Sequence, residues 1–416
     1  MTNDRTAIDP STTSVTSAAS IAHALSSKAA ASDAPEVTAL IDVESGRALS
    51  WPEVSSAITT IDPPVALAAT NTIDMVLTIL AALERNQALA IGPRLSLEST
   101  ATATRADTAL AILTSGSSAS PRLIEHRASA LVAHAQASAL ALDSRVGDRW
   151  LIALPIAHVS GLGPIIRALV FRRSVALMKK FDTTRFIAAI VSHQITLTSL
   201  VPTMLSRLVK QCWRPPAHLR HVLIGGAACS AQLREQAQNL GIPITICYGM
   251  TETFSHIVIN GRLLPGIEAR TDKEGVLSIR GPISTTWPQW LRTQDLATLT
   301  KTPNGIQVDI LSRADDVIIS GGENVSPTRV RDALIAHPLI NDAHVIGIND
   351  PEWGQRVAAM IATQTDVDTN KLDGQLRSSL AGHERPRRYL VVRSIPRLPS
   401  GKPDSQTIAK QLADEL

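Results

Sequence analysis

The sequence predicts an α/β protein. A large N-terminal domain of α/β subdomains, with parallel-rich sheets and a small β-rich subdomain, is followed by a small mobile α+β C-terminal domain. Three observations lead there. At 416 residues the chain is longer than one ordinary core organises, so two or three units are expected. Between Val37 and Ile246, short apolar runs alternate with stretches of helical apolar spacing, the pattern of strands joined by helical crossovers. From Gly275 to Ile310 strong helices are missing, and they return beyond Asp315.

The first 36 residues, rich in Ala, Ser and Thr and interrupted by Asp4, Arg5, Asp9 and Lys28, read as a flexible leader. They lack the continuous apolar segment of a secretory signal. The large domain is expected over 37–314, its β-rich part over about 262–312, and the C-terminal domain over 315–416. Val37–Asp42 and Arg47–Ser50 are expected as strands around a turn at Glu44-Ser45-Gly46. Trp51–Thr59 and Asp74–Arg85 follow as helices, and Ala88–Ile91 as a strand ended by Gly92-Pro93. Ala109–Leu113 is a buried strand leading into Thr114-Ser115-Gly116-Ser117-Ser118, with a helix at Ala128–Leu142. Strands at Trp150–Leu154, Ser174–Leu177, Thr196–Leu200, His221–Ile224 and Ile244–Ile246 alternate with four helices. Those helices are Gly161–Leu169, Phe181–His193, Pro202–Lys210 and Ala231–Asn239. Beyond Asp315 come helix Ser326–His337, strands His344–Ile348 and Val357–Ala362, helix Leu372–Ala381 and strand Tyr389–Arg393.

Composition excludes several classes. Hydrophobic residues at 44% and charged residues at 19% describe a water-soluble globular chain. With aromatics at 3%, the core must be built mainly from Ala, Leu, Ile and Val. A net charge of +3 offers no concentrated basic face, so no nucleic acid is expected as a partner. No apolar run approaches the ~18 residues of a membrane span, so no membrane insertion is expected either. Cys212, Cys229 and Cys247 are odd in number and lack a C-x-x-C pair. They read as reduced thiols of a cytoplasmic protein rather than zinc ligands or disulfides.

Several segments carry chemistry. Thr114, Ser115, Gly116, Ser117 and Ser118 place a glycine among four hydroxyls after a buried strand. Backbone N–H groups freed by the glycine and hydroxyl donors suit a polyphosphate, although a Ser/Thr-rich surface turn has the same composition. No Walker lysine follows. Tyr248-Gly249-Met250-Thr251-Glu252-Thr253 puts a carboxylate between two hydroxyls after a strand, a donor set for Mg²⁺ beside phosphate, or a capped turn. Asp295 could accept from the vicinal hydroxyls of a ribose with Arg313 in support. Gly321-Gly322 form a turn before a helix with Ser326 as N-cap and Pro327 at N1. His158 lies between a strand and a helix, where α/β ligand sites collect. Lys402 sits on a terminal turn, Pro399-Ser400-Gly401-Lys402.

In this order, the segments resemble the adenylate-forming superfamily of acyl- and aryl-CoA ligases over roughly residues 37 to 410. Within it the likeness is greatest to the o-succinylbenzoate–CoA ligases of menaquinone biosynthesis. The strings that carry it are LPIAHVSGL from Leu154, SLVPTML from Ser199, LIGGAA from Leu223, YGMTET from Tyr248, SGGENVSP from Ser320 and PEWGQRV from Pro351. The resemblance implies an acid substrate, ATP, Mg²⁺ and coenzyme A as the partners. It implies phosphate binding by residues 114–118 and Thr251, Mg²⁺ coordination by Glu252, and His158 among the catalytic residues. Gly225, Gly226 and Ala227 would border the adenine and acyl pocket, with Tyr248 stacking near the base and Gly249 among the ATP-binding residues, and Asp295 and Arg313 would hold the ribose. Lys402 would bridge acyl carboxylate and α-phosphate during adenylation. Asp315 would be the hinge about which Gly321-Gly322 then reaches the pantetheine channel.

The chain departs from that pattern at Ala119 and Arg122 in the phosphate loop, at Gln294 for a common glycine, and at Ser405 for a common arginine. Arg167 and Arg262 are the candidate cations for a second substrate carboxylate. Arg385, Arg387 and Arg388 are candidates for the coenzyme A phosphates, or a solvated face. A ligase for another acid and a non-catalytic nucleotide binder are the competing readings, and a homo-oligomer is left open.

Overall fold

The computed structural model describes residues 38–92, 106–114, 122–303, 305–314, 316–398 and 403–414. The expected leader, residues 115–118, Asp315 and Lys402 lie outside the described residues.

The chain opens with β1 (Thr38–Asp42), β2 (Ala48–Ser50), α1 (Trp51–Thr60), β3 (Ala66–Ala68), α2 (Ile73–Glu84) and β4 (Leu89–Gly92). Local chemistry starts these helices: Ser50 and Glu53 form a reciprocal capping box on α1, and the Thr72 hydroxyl caps α2. Next come β5 (Thr108–Thr114), β6 (Arg122–Arg127), α3 (Ala128–Ala141) and β7 (Arg149–Ile152). Then follow α4 (Val159–Phe171), β8 (Ser174–Leu177), α5 (Thr183–Ser192), β9 (Leu197–Leu200), α6 (Pro202–Lys210), β10 (His221–Ile224) and α7 (Ala231–Asn239). After β11 (Ile244–Met250) the helices stop, leaving β12 (Ser255–Ile259), β13 (Arg262–Leu263), β14 (Glu268–Thr271), β15 (Val276–Arg280), β16 (Leu291–Thr302) and β17 (Gly305–Arg313).

Thirteen strands make one sheet, ordered β14-β15-β16-β17-β13-β12-β11-β10-β9-β7-β8-β1-β2. Neighbours from β1 through β8, β7, β9 and β10 to β11 are parallel. β11 changes partner midway. Ile244–Ile246 pair with β10 in parallel, and Cys247–Met250 pair with β12 antiparallel. The β-rich region therefore continues the parallel sheet and its strands begin at Ser255, earlier than the expected residue 262. Sequence reasoning missed β12 and β13 although their turn is Asn260-Gly261, both at positive φ, the strongest short hairpin signal. A second sheet, β3-β4-β5-β6, ends in an antiparallel β6 that was also missed because charges interrupt its apolar pattern.

The C-terminal sheet is built from β18 (Ile318–Ser320), β19 (Glu323–Val325), β20 (Asp342–Asp350), β21 (Gly354–Ala362) and β22 (Arg388–Val392). It packs on α8 (Pro327–Ile335), α9 (Thr369–Leu376) and α10 (Ser405–Asp414), the last through Ile408 and Leu412. Gly321 and Gly322, both at positive φ, form the two-residue turn between β18 and β19. The expected loop there is thus the tip of a hairpin. The large cores consist mainly of Ala, Leu, Ile and Val. Among the described residues, no helix is long and apolar enough to cross a membrane.

Candidate active site

Thr114, His158, Gly225–Ala227 and Tyr248–Thr253 lie at or just beyond the carboxyl ends of β5, β7, β10 and the parallel half of β11, where open α/β sheets bind ligands. Gly225, Gly226 and Ala227 follow β10. A side chain at Gly225 would place its Cβ 3.3 Å from the Cys247 carbonyl, so this segment lies against β11. Tyr248, Gly249 and Met250 belong to β11 itself, whereas sequence reasoning ended that strand at Ile246. Thr251–Thr253 then make one 3₁₀ turn.

The Tyr248 hydroxyl donates to Asp295 Oδ2 at 2.7 Å. Burial and the neighbouring Asp295 carboxylate hold its pKa above the usual tyrosine range, so it stays a neutral donor. Asp295 and Arg313 face each other across β16 and β17. Arg313 also donates to the Gln294 side chain, so the departure from glycine at 294 supplies a partner for this arginine. The expected pair is brought together, and Tyr248 is added to it.

Gly249 is required by contact. A Cβ there would lie 2.0 Å from the Ser255 carbonyl oxygen and 2.5 Å from His256 Cα, both backbone atoms. The chain beyond is strained, with Phe254 at φ 57° and Ser255 at φ 144°. Gly249→Ala is expected to push β11 from β12 and displace Tyr248 and Thr251 together. The predicted loss is about 1–3 kcal/mol of stability. ATP affinity should fall in the fraction that stays folded, measured by urea denaturation and isothermal titration; unchanged values for both would refute the contact.

Thr114 ends β5 opposite Arg122, and its hydroxyl donates to the Arg122 carbonyl at 3.2 Å. The phosphate-loop segment thus joins two antiparallel strands. Glu252 is half-buried on the 3₁₀ turn, and among the described residues its carboxylate makes no ion pair. A single carboxylate beside the Thr251 hydroxyl fits Mg²⁺, which keeps most of its shell from water and substrate phosphates. No group of three metal-binding side chains occurs among the described residues.

His158 caps α4, its carbonyl accepting from Gly161 and Leu162. Further along α4, Arg167 is 4% exposed. Its Nε and Nη1 are buried without hydrogen-bond partners, and no carboxylate pairs with it among the described residues. It stacks over Trp150 at 4.7 Å. Burial lowers its pKa to about 9, which leaves it charged at neutral pH. A methyl group added at Gly163 would lie 3.3 Å from Arg167 Nη1 and 3.4 Å from the Ser255 hydroxyl, so cation and hydroxyl both pack closely on Gly163. Cys247 lies beside Arg167 as a neutral thiol, its pKa pushed up to about 12 by burial. Arg262 is exposed on β13.

Behind the 3₁₀ turn sit three buried histidines that sequence reasoning did not single out. His134 Nε2 donates to the His256 carbonyl at 3.0 Å, and His256 Nε2 meets the Ser138 hydroxyl at 2.9 Å. His134 and Ser138 are four residues apart on α3, a spacing visible in the sequence. His126 packs edge-on against Phe254 at 5.2 Å. Burial lowers His126 and His134 to about 3 and His256 well below its ordinary 6.5. Their folded-state values lie below the unfolded one, so the unfolded chain binds more protons as pH falls through 6.5. Their stability contribution is intact above that pH and lost below it, at up to about 1.4 kcal/mol per pH unit for each. Urea midpoints at about pH 7.5 and about pH 5 should differ accordingly. The difference should shrink in His126→Leu, and an equal drop in that variant would refute the assignment.

In the C-terminal sheet, Gly321 and Gly322 border a surface recess of about 570 Å³ with Val317, Ile319, Trp353 and Gln355. Arg387 stacks over Trp353 at 5.5 Å, Arg385 is paired with Asp373 at 2.7 Å, and Arg388 lies in β22. Of the three candidate phosphate contacts, only Arg387 is exposed beside this recess.

The chain matches the AMP-binding enzyme family over residues 84–286 and the AMP-binding enzyme C-terminal domain over residues 330–402. It is 33% identical over 340 residues to the 2-succinylbenzoate–CoA ligase of Bacillus velezensis, covering 74% of this chain and 69% of that protein. To the Bacillus subtilis ligase of the same name it is 30% identical over 329 residues, with 71% and 67% covered. Its fold matches the solved o-succinylbenzoate CoA synthetase from Bacillus subtilis in complex with the acyl-adenylate intermediate. The TM-score is 0.79 at 25% identity, over 91% of this chain and 96% of that one. An amide bond synthetase from Marinactinospora thermotolerans shares the fold with a TM-score of 0.79 at 22% identity, over 95% and 99% of the two chains.

Proposed function

The chain belongs to the AMP-binding enzyme family of adenylate-forming ligases, and from that we propose that it is an o-succinylbenzoate–CoA ligase acting in menaquinone biosynthesis in the cytoplasm. The observation that carries the choice of acid is Arg167, a buried cation without a protein counter-ion among the described residues, which packs with Ser255 on Gly163. A monocarboxylic acid would leave that charge uncompensated. An acid with a second carboxylate neutralises it on binding, which is the condition under which a buried charge is tolerated.

In this reading, an oxygen of the acid attacks the α-phosphorus of ATP and pyrophosphate leaves. The coenzyme A thiol then attacks the acyl carbonyl and AMP leaves. Thr114, residues 115–118 and Thr251 hold the phosphates, and Gly225–Ala227, Tyr248 and Gly249 border the adenine. Asp295, fixed by Tyr248, takes the ribose hydroxyls with Arg313. Glu252 would hold Mg²⁺, which when bound offsets phosphate charge. His158 walls the acid site. Lys402 serves the first half-reaction. A division at Asp315 lets the C-terminal domain exchange Lys402 for the Gly321-Gly322 hairpin, with Arg387 near the coenzyme A phosphates.

ATP–pyrophosphate exchange driven by o-succinylbenzoate tests the proposal. Exchange with this acid, and thioester formation once coenzyme A is added, is the expected result. Exchange with other acids alone would overturn the substrate, and no exchange with any acid would leave a nucleotide binder.

A further inference from the structure

Asn71 lies in the connection between β3 and α2 and is 4% exposed. Its amide makes three hydrogen bonds. Nδ2 donates to the Leu154 carbonyl at 3.0 Å and to the Met178 carbonyl at 2.9 Å, while Oδ1 accepts from Ile156 N–H at 2.9 Å. Those partners lie just beyond the carboxyl ends of β7 and β8, on the edge of the sheet where the site is built. The bonds to 154 and 156 grip the loop that presents His158. That loop also seats α4: His158 N–H donates to the Pro155 carbonyl, and a Cβ at Gly161 would lie about 2.5 Å from the Leu154 and Pro155 carbonyls. α4 in turn carries Arg167.

We propose that Asn71 is a positioning residue for the acid-binding half of the site. It fixes the loop at 154–158 and the start of α4, and through them the places of His158 and Arg167. The proposal rests on the acid-pocket reading above. Two donors and one acceptor in one rigid amide are needed, because the three backbone groups come from two segments and would otherwise be buried unpaired. Aspartate has the same shape and no donors, so it would set a carboxylate against two carbonyl oxygens. A displacement of about 1 Å at a reacting group costs on the order of 100-fold in rate.

The test is ATP–pyrophosphate exchange with o-succinylbenzoate on the full chain, comparing wild type with Asn71→Asp and the smaller, uncharged Asn71→Ser. Thr198→Val serves as a control, since it removes another buried side-chain bond, from Thr198 to the Leu151 carbonyl, within the strands and away from the loop. Circular dichroism selects a temperature at which the variants are folded. The expected result is a rise of about tenfold or more in KM for the acid with a fall in kcat, while KM for ATP stays within about twofold. Thr198→Val should lower the melting temperature without that split. Equal shifts in both KM values, an unchanged acid KM in a folded variant, the same split in Thr198→Val, or failure of both Asn71 variants to fold would each overturn the proposal. Absence of exchange in the wild type would instead sink the functional reading, which keeps the two failures distinct.

Discussion

Arg167→Met should lower kcat/KM for o-succinylbenzoate in the adenylation half-reaction by about 10²- to 10³-fold, the scale expected when one partner of a buried charge pair is truncated. The stem of methionine keeps the packing against Trp150, so most of the change falls on the charge. Because Arg167 has no protein counter-ion among the described residues, its removal leaves no orphaned carboxylate in the free enzyme. Stability should therefore hold or rise, while affinity for a dicarboxylic acid collapses. Selectivity should move with it. Against a monocarboxylic analogue, the wild type bears an unneutralised guanidinium and the variant does not, so the preference for the dicarboxylic acid should narrow sharply. Arg167→Lys should recover part of the activity, since an ammonium keeps the charge but not the fork. Steady-state exchange kinetics on both acids decide the matter, and a uniform loss on both would show Arg167 to be a packing residue.

The other large effect is expected at Lys402. Lys402→Ala should cut adenylation by about 10²- to 10³-fold, the range for removing one preorganised donor at developing charge. Thioester formation from preformed acyl-adenylate should be largely spared, because in the proposed mechanism the lysine serves only the attack on the α-phosphorus. The flanking residues are anchored. Arg397 pairs with Asp342 and bridges Pro403, Asp404 N–H donates to the Pro396 carbonyl at 2.9 Å, and the Ser405 hydroxyl meets His344 Nε2 at 3.3 Å. Ser405, a departure from the family's arginine, thus joins the start of α10 to β20. Single-turnover measurement of the two half-reactions separates the outcomes, and equal loss in both would argue against alternation of the C-terminal domain.

Local information carried far in this chain. Pro202–Lys210, His221–Ile224 and Ala231–Asn239 have the bounds the sequence suggested, because Pro202 and the Ser230 cap mark helix starts that depend on near neighbours alone. The misses have equally local causes. β3 has three residues, β6 carries Arg122, Glu125 and Arg127 between its apolar positions, and the Asn260-Gly261 signal was passed over. In the site, Asp295, Arg313, Thr251 and Glu252 were readable as residue types in order. Their spatial relations were not. The Tyr248 bond to Asp295 depends on the register of β16 against β17 and on the sheet path through β13, β12 and β11.

Two kinds of knowledge about this protein therefore have different sources. Motif order, helix caps and apolar period are carried by residues within a few positions of each other, and they pointed to the α/β class and to the family resemblance, which implied ATP, Mg²⁺ and coenzyme A as partners. Burial and pairing come from segments far apart in the chain, and no local pattern encodes them. Arg167 and Arg262 were equal candidates as letters in a sequence. Packing left one on the surface and enclosed the other without a counter-charge among the described residues, and a buried cation without a partner is what a dicarboxylic acid can complete. In the same way Asn71, silent as a motif, gained its place from three backbone groups brought to it by the ends of two parallel strands.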